Sequence, residues 1–521
     1  MEFLNNITPR EYQKEIFETC KKKNCLVVLP TGLGKTLIAL MLSIERMKEF
    51  PGEKVVFLAP TKPLAEQHIN TFKKYLPDLF GDMQLFTGAV KPEKRKKIWE
   101  TADIVFSTPQ CVANDLRNEL YNLKEVCLLV EDEAHRCIRN YDYNYIAQNY
   151  IKQSYHPRIL GLTASPGSDS SKIKEICKNL FVEEVELRTR ESKDVSPYLQ
   201  KLEFEKVLID FPLEFEEMRQ ILKKLYDDYV EELRRRKVLF GQVNKIVLIE
   251  LQKKIMFSLA RGNKNFNYFH AASACAQAIK IQHAIELLET QTLGGFSKYL
   301  KELFNQAAKK QSRGVEKLVA KPEFNFVFTR TQELLAKKIE HPKLLELEKI
   351  IAYEKTKNKE LKVIVFTQFR ETASIIAKKL NEIENIRAKV FVGQTKKISE
   401  GSSTGLSQKE QKKIIEEFSE GKINVLACTS IGEEGLDIPE VNAVIFYEPI
   451  PSAIRSIQRR GRTARLMKGK LIILITKNTR DQAFYYASRS REKRMYSAIS
   501  NIKDELKNGE INIREKQKTL E

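Results

Sequence analysis

The chain has 521 residues, 42% of them hydrophobic, and its 89 Lys and Arg against 69 Asp and Glu leave a net charge of +20. Such a length points to about three domains, and the positive excess points to a polyanionic partner, nucleic acid above all. No apolar run reaches membrane-span length, and the N-terminus MEFLNNITPREYQ lacks the basic-then-apolar layout of a signal peptide, so a cytoplasmic, nucleoid-associated protein with no membrane partner is expected.

From 24 to about 190, short apolar runs alternate with amphipathic stretches. The runs are CLVVLP (25–30), VVFLAP (55–60), IVFST (104–108), VCLLVED (126–132) and ILGLTAS (159–165). Each ends in small or polar residues, which is the pattern of buried parallel strands feeding loops at their C-terminal ends. Binding sites of open α/β sheets lie at those ends. The eight Cys include no CxxC pair, which argues against zinc, and most sit in apolar runs as small reduced core residues.

LPTGLGKT (29–36) follows the first run and opens the helical stretch 35–50. Backbone N–H groups around Thr31, Gly32 and Gly34, with the positive end of the helix, favour an anion. Lys35 can reach the β and γ phosphates of ATP, and the Thr36 hydroxyl can bind Mg²⁺. Leu29 stands where the strict phosphate-loop pattern has Gly, so a glycine turn with a surface lysine is the competing reading. VCLLVEDEAH (126–135) supplies the second half: Asp132 to hold Mg²⁺ and Glu133 to orient and deprotonate water. A solvated acidic turn is its bland counterpart.

The rhythm changes near 211. No proline occurs between 214 and 321, and helical spacing dominates at 213–239, 245–260 and 273–289; Gly294 and Gly295 read as a turn. Residues 211–345 hold 24 basic and 15 acidic residues, about +9. RRRK (234–237), RGNKNFNYF (261–269) and KKQSR (309–313) mix basic and aromatic residues, as duplex contacts do, or as a solvated helix face does. Strand–helix alternation returns with a helix at 341–355 and strands at 361–369, 388–393, 424–430, 443–449 and 469–476; beyond 478 the chain is helical and charged. QRRGRTAR (458–465) places four arginines in eight residues. Arg462 and Arg465 can face the γ-phosphate as arginine fingers while Gln458 positions water; a basic surface loop is the other reading.

DEAH after PTGLGKT resembles helicase superfamily 2, and further strings extend the likeness over about 7–200 and 340–477. TPREYQ is similar to the adenine-reading element, implying cofactor contacts from Arg10 and Gln13. APTKPLAEQH (59–68), Thr87–Gly88, STPQ (107–110), VFTQF (365–369) and VGQ (392–394) resemble the strand-binding motifs. LTASP (162–166) resembles the motif coupling hydrolysis to the strand, and TSIGEEGLDIP (429–439) a second-lobe motif. Within the last, Gly435 and Asp437 match nucleotide contacts, Asp437 through the ribose. The resemblance implies an α/β fold of two tandem RecA-like parallel-sheet domains with a helical insert. The expected divisions are 1–204, 205–340 for the basic insert, 341–500, and a charged tail or linker at 501–521.

Pro60, Thr61, Lys62, Thr87, Gly88, Ser107, Thr108, Thr367, Gln368, Gly393, Gln394 and Thr429 are the implied nucleic-acid contacts. Small hydroxyl, amide and basic groups of this kind grip phosphates without reading sequence; each is equally a cap or turn residue. The insert resembles that of archaeal Hef-type helicases and their FANCM-like relatives, which implies ATP-dependent work on forked, branched and single-stranded DNA in repair. RIG-I-like sensors and Dicer, which act on double-stranded RNA, are the runner-up, and an inactive scaffold is third. The family's nuclease string ERKxxxD does not occur, so the chain is expected to be the helicase portion of a longer protein or a form lacking the nuclease. A sliding clamp or single-strand-binding protein is a candidate partner, and a nuclease domain outside this sequence is a candidate route to a dimer.

Overall fold

Strands buried on both faces need helices over both, and the first 190 residues alternate accordingly. In the computed structural model, residues 3–77, 80–199, 202–262, 265–393, 398–399, 402–403, 405–429, 438–452 and 469–511 are described. The first sheet contains β1 (Cys25–Val28), β2 (Lys54–Leu58), β3 (Met83–Phe86), β4 (Ile104–Ser107), β5 (Val126–Asp132), β6 (Ile159–Thr163) and β7 (Glu184–Leu187). Its order is β3-β4-β2-β5-β6-β1-β7, and the neighbours pair in parallel. Alternate residues divide between two cores: Leu26 and Val28 pack on one face, Cys25 and Val27 on the other. That two-sided burial explains why the strands read as unbroken apolar runs.

The second sheet contains β8 (Leu202–Ile209), β9 (Val363–Phe366), β10 (Ala388–Phe391), β13 (Val425–Cys428), β14 (Ala443–Phe446) and β15 (Gly469–Thr476). A two-stranded ribbon, β11 (Ile398–Ser399) with β12 (Ser402–Ser403), stands apart. The order is β10-β13-β9-β14-β15-β8, again parallel. β8 precedes the insert in sequence yet forms the edge of the second sheet, paired along its whole length with β15. A division at 204/205 therefore falls inside this strand.

Between the sheets, helices Leu213–Arg235, Lys245–Ala260, Phe266–Thr290, Leu293–Ala308, Arg313–Val319 and Pro322–Ala336 bury one apolar core. The turn expected at Gly294–Gly295 is instead the first turn of a helix, capped by the Thr292 hydroxyl accepting from Gly295 N at 3.2 Å. Gly294 serves close approach: a Cβ there would lie 3.0 Å from Ile375 Cδ1 of the second lobe.

The bundle is rooted in that lobe. Buried Gln291 accepts through Oε1 from the hydroxyls of Thr367 (3.3 Å) and Thr372 (2.8 Å). Lys343 Nζ, wholly buried, donates to Thr290 O (2.6 Å) and to the equally buried Asp481 Oδ2 (2.7 Å). The C-terminal helix, Arg480–Lys507, then crosses back and sinks Met495, Ile499 and Ile502 into the first lobe's core. Ser165 Oγ donates to Met495 Sδ at 2.9 Å. Residues 501–507, expected in a tail, thus belong to a packed helix, and 512–521 lie outside the described residues.

Candidate nucleotide site and strand-facing edge

Gly34 has φ +82° and begins helix Lys35–Glu49; any Cβ there would stand 2.2 Å from Gln13 Nε2. Gln13 is nearly fully buried, donates to Leu33 O (3.0 Å), and accepts from Arg10 N (2.9 Å). The Tyr12 hydroxyl donates to the same Leu33 carbonyl at 2.8 Å. The two residues brace the phosphate loop from behind, so both ends of the amide expected to read adenine are held by protein groups. The Arg10 guanidinium lies 5.1 Å above the Tyr198 ring.

Lys35 Nζ donates to Leu29 O at 2.9 Å, which keeps it over the loop. The buried Thr31 hydroxyl makes no hydrogen bond among the described residues. Thr36 Oγ1 stands 3.4 Å from His68 Nδ1, and the same ring's Nε2 stands 2.8 Å from Asp132 Oδ2. Phe57 holds the imidazole at 4.4 Å between centroids. His68 thus gathers the loop hydroxyl and the strand-end carboxylate at one point. Burial pushes the Asp132 carboxyl up, but His68 and Lys35 outweigh it and hold the group below its usual range. Glu133 has φ +52°, an uncommon left-handed conformation, and one carboxylate oxygen lies 3.2 Å from His135 Nδ1. That nitrogen is also 3.3 Å from Thr163 Oγ1, which accepts from Ser165 N at 3.1 Å. The DEAH end is therefore linked to the LTASP string and, through Ser165, to the C-terminal helix. Glu131 is fully buried, and desolvation raises its carboxyl well above the usual range. Strand alternation places it on the opposite face of β5 from Asp132.

Strand order sorts the remaining residues. The phosphate loop follows β1, and Asp132 and Thr163 end β5 and β6; these three strands adjoin. Thr87 and Gly88 follow β3, Ser107 and Thr108 lie at the end of β4, and Pro60 to Lys62 follow β2, another adjoining trio at the same edge. The second lobe repeats this: Gly393 follows β10, Thr429 follows β13, and Thr367 and Gln368 follow β9, three neighbouring strands.

Not every expected contact reaches the surface. Ser107 is fully buried, its hydroxyl donating to Phe86 O and Thr108 O, both at 3.1 Å. Thr367 is fully buried against Gln291. These two hydroxyls fasten their own strand ends. Pro60, Thr87 and Thr429 are also buried, while Thr61 and Gly88 are exposed and Lys62, Thr108, Gln368 and Gly393 are half-exposed. Gln394, Gly435, Asp437, Gln458, Arg462 and Arg465 lie outside the described residues. His68 and Gln291 were not anticipated. His68 closes the APTKPLAEQH string, but only the folded helix Lys62–Tyr75 shows that it meets Asp132.

Two parallel α/β lobes, the first with a phosphate loop and a DEAH strand end, define the architecture of a superfamily 2 helicase. Residues 10–173 match the model of the DEAD/DEAH box helicase family and 342–467 that of the helicase conserved C-terminal domain. Residues 214–340 match the family described as "Putative ATP-dependent RNA helicase, helical bundle". The crystal structure of the Pyrococcus furiosus Hef helicase domain is similar at 41% identity, covering 94% of this chain and 100% of that one, with a TM-score of 0.71. A Methanocaldococcus jannaschii protein described as a "Putative ATP-dependent RNA helicase" is 38% identical over 95% of this chain and 61% of its own length. The Mus musculus Fanconi anemia group M protein homolog is 31% identical over 97% of this chain and 26% of its own. The Schizosaccharomyces pombe ATP-dependent DNA helicase fml1 is 30% identical over 91% and 57%. The chain belongs to the Hef/FANCM-like family of superfamily 2 helicases. It spans 61% or less of the length of these three curated relatives.

Proposed function

We propose that this chain uses ATP hydrolysis to move on forked and branched DNA, as a helicase or translocase in repair and at stalled forks. The observation that carries this is the convergence of Thr36 and Asp132 on the two nitrogens of His68, beside Lys35. It joins a phosphate loop to a carboxylate on the edge that also carries the strand-facing loops.

The donor set fits a magnesium nucleotide: a hydroxyl, a carboxylate held ionised, and a buried Thr31 hydroxyl with no hydrogen bond among the described residues. Thr36 and Asp132 would hold Mg²⁺, which when bound neutralises phosphate charge. Lys35 and the loop amides bind the phosphates, and Glu133 accepts the proton of the attacking water. Arg462 and Arg465 would steady the charge developing on the transferred phosphoryl group from the second lobe, with Gln458 beside them. Closure of the lobes would shift the two strand-facing edges relative to each other. Gln291 and the Lys343–Asp481 pair would carry that shift into the basic bundle.

Several relatives bear DNA-helicase names, and the Hef likeness covers the whole of that domain. Double-stranded RNA is the second candidate activator, since two of the matching descriptions name RNA. Steady-state ATPase rates with single-stranded DNA, linear duplex, a fork and double-stranded RNA of equal length decide between them. Stimulation greatest with the fork supports the proposal; stimulation by RNA alone overturns it. Lys35→Ala is expected to abolish turnover while leaving DNA binding, because the strand-facing loops lie on other strands; unchanged turnover would sink the phosphate-loop assignment.

A further inference from the structure

Helix Lys245–Ala260 buries Leu248 and Ile255 in the bundle, yet its outer side is also apolar. Ile246, Ile249, Met256 and Phe257 are all exposed, Phe257 at 59%. Their spacing puts them along one outward face, about 16 Å from Ile246 to Phe257. At the start of the next helix, Phe266–Thr290, Phe266 is 74% exposed and Phe269 54%. Nothing in the fold covers this surface among the described residues, and an exposed apolar patch of this kind marks a contact site.

Charge identifies the occupant. Residues 234–262 hold eight Lys and Arg and a single acid, Glu250. Lys253, Lys254 and Arg261 are exposed on or just beyond the same helix, and the Arg261 guanidinium lies 4.2 Å above the Phe257 ring. A second copy would bring the same positive charge against itself. Duplex DNA offers phosphates but hides its bases. Unpaired nucleotides offer both phosphates and flat apolar faces, which is what interleaved cations and rings accept.

We propose that the outer face of helix Lys245–Ala260, with Phe266 and Phe269, is a stacking platform for the unpaired bases at a branch point. This rests on the branched-DNA reading above and names the part of the substrate that the bundle holds.

The test uses the full chain and a fork carrying 2-aminopurine at the junction, with a linear duplex in parallel, reading fluorescence and affinity together. Phe257 and Phe266 are exposed, so Phe257→Ala with Phe266→Ala spares the core. The double variant is expected to bind the fork roughly tenfold more weakly and to lose the base's fluorescence change. Linear-duplex affinity should shift less than about twofold, because phosphate contacts remain. Phe257→Tyr with Phe266→Tyr should restore wild-type behaviour. Wild-type affinity and fluorescence in the alanine variant would overturn the platform and leave the face to a protein partner. A wild-type chain with no preference for the fork overturns the branched-DNA reading itself, and the platform with it.

Discussion

Asp132 and His68 stand 2.8 Å apart, and the other nitrogen of the same ring stands 3.4 Å from Thr36 Oγ1. The imidazole therefore orients both groups expected to hold the metal while Phe57 fixes its plane. Outer partners of this kind tune metal affinity by roughly 10–100-fold. His68→Ala is expected to raise the Mg²⁺ concentration for half-maximal ATPase about tenfold or more, with less effect on saturating turnover. ATPase titrated with Mg²⁺ at fixed ATP checks this. An unchanged midpoint would show that His68 only packs.

Gly34→Ala tests the brace behind the phosphate loop. The backbone there is left-handed, and a Cβ would collide with Gln13 Nε2 at 2.2 Å. The strain alone costs about 1–3 kcal/mol, and displacing Gln13 frees Leu33 O. Because Gln13 lies under the loop rather than in the sheet, the fold should survive. ATP should then no longer raise the melting temperature, as it should for the parent chain. A variant that keeps the ATP-induced rise would show that the loop tolerates the shift.

The strands legible in the sequence were those buried on both faces, such as β1 and β5, because continuous apolar runs need no partner to be recognised. β3 is half-buried, and β7 and β8 intersperse acidic residues with apolar ones at sheet edges, so none stands out as a run. That β8 joins the second sheet depends on pairing with β15 across the whole insert, which no local signal encodes. The PTGLGKT and DEAH strings stood out as short fixed patterns at the ends of apolar runs, and the fold brings Thr36 and Asp132 to one imidazole. The strand contacts were less so: Ser107 and Thr367 have the right chemistry, yet their hydroxyls face inward to Phe86 O and Gln291. The stretch beyond 478 reads as helical and charged, but that it straps the first lobe depends on Met495, Ile499 and Ile502 lying on one side of it, spaced to meet that core.

Lys343 and Asp481 form a wholly buried pair between the start of helix Pro342–Lys357 and the start of the C-terminal helix. Removing one partner leaves a buried charge, which costs about 3–5 kcal/mol, whereas replacing both with apolar residues is often nearly neutral. Lys343→Met should therefore lower the unfolding midpoint strongly, and adding Asp481→Leu should recover much of the loss. Chemical denaturation of the two variants reads this directly. A double variant as unstable as the single one would place the cost in the lost bond to Thr290 O instead.

Glu286 lies in the bundle with Lys245 Nζ at 2.6 Å and His283 Nδ1 at 3.4 Å. Burial raises its carboxyl, but bonds from His283 and Lys245 prevail and lower it from 4.5 to about 2. A carboxyl depressed in the folded state contributes stability that is complete above its unfolded value and disappears as pH falls through the folded one. The contribution is therefore present above about pH 4.5 and lost toward pH 2. It is worth about 1–3 kcal/mol, since Lys245 is partly screened by solvent. Glu286→Gln should thus destabilise the bundle by that amount near pH 6, and the gap from the parent chain should close as the pH is lowered. Melting temperatures of both proteins at a series of pH values test it. A gap that stays constant with pH would assign the loss to packing rather than to the ion pair.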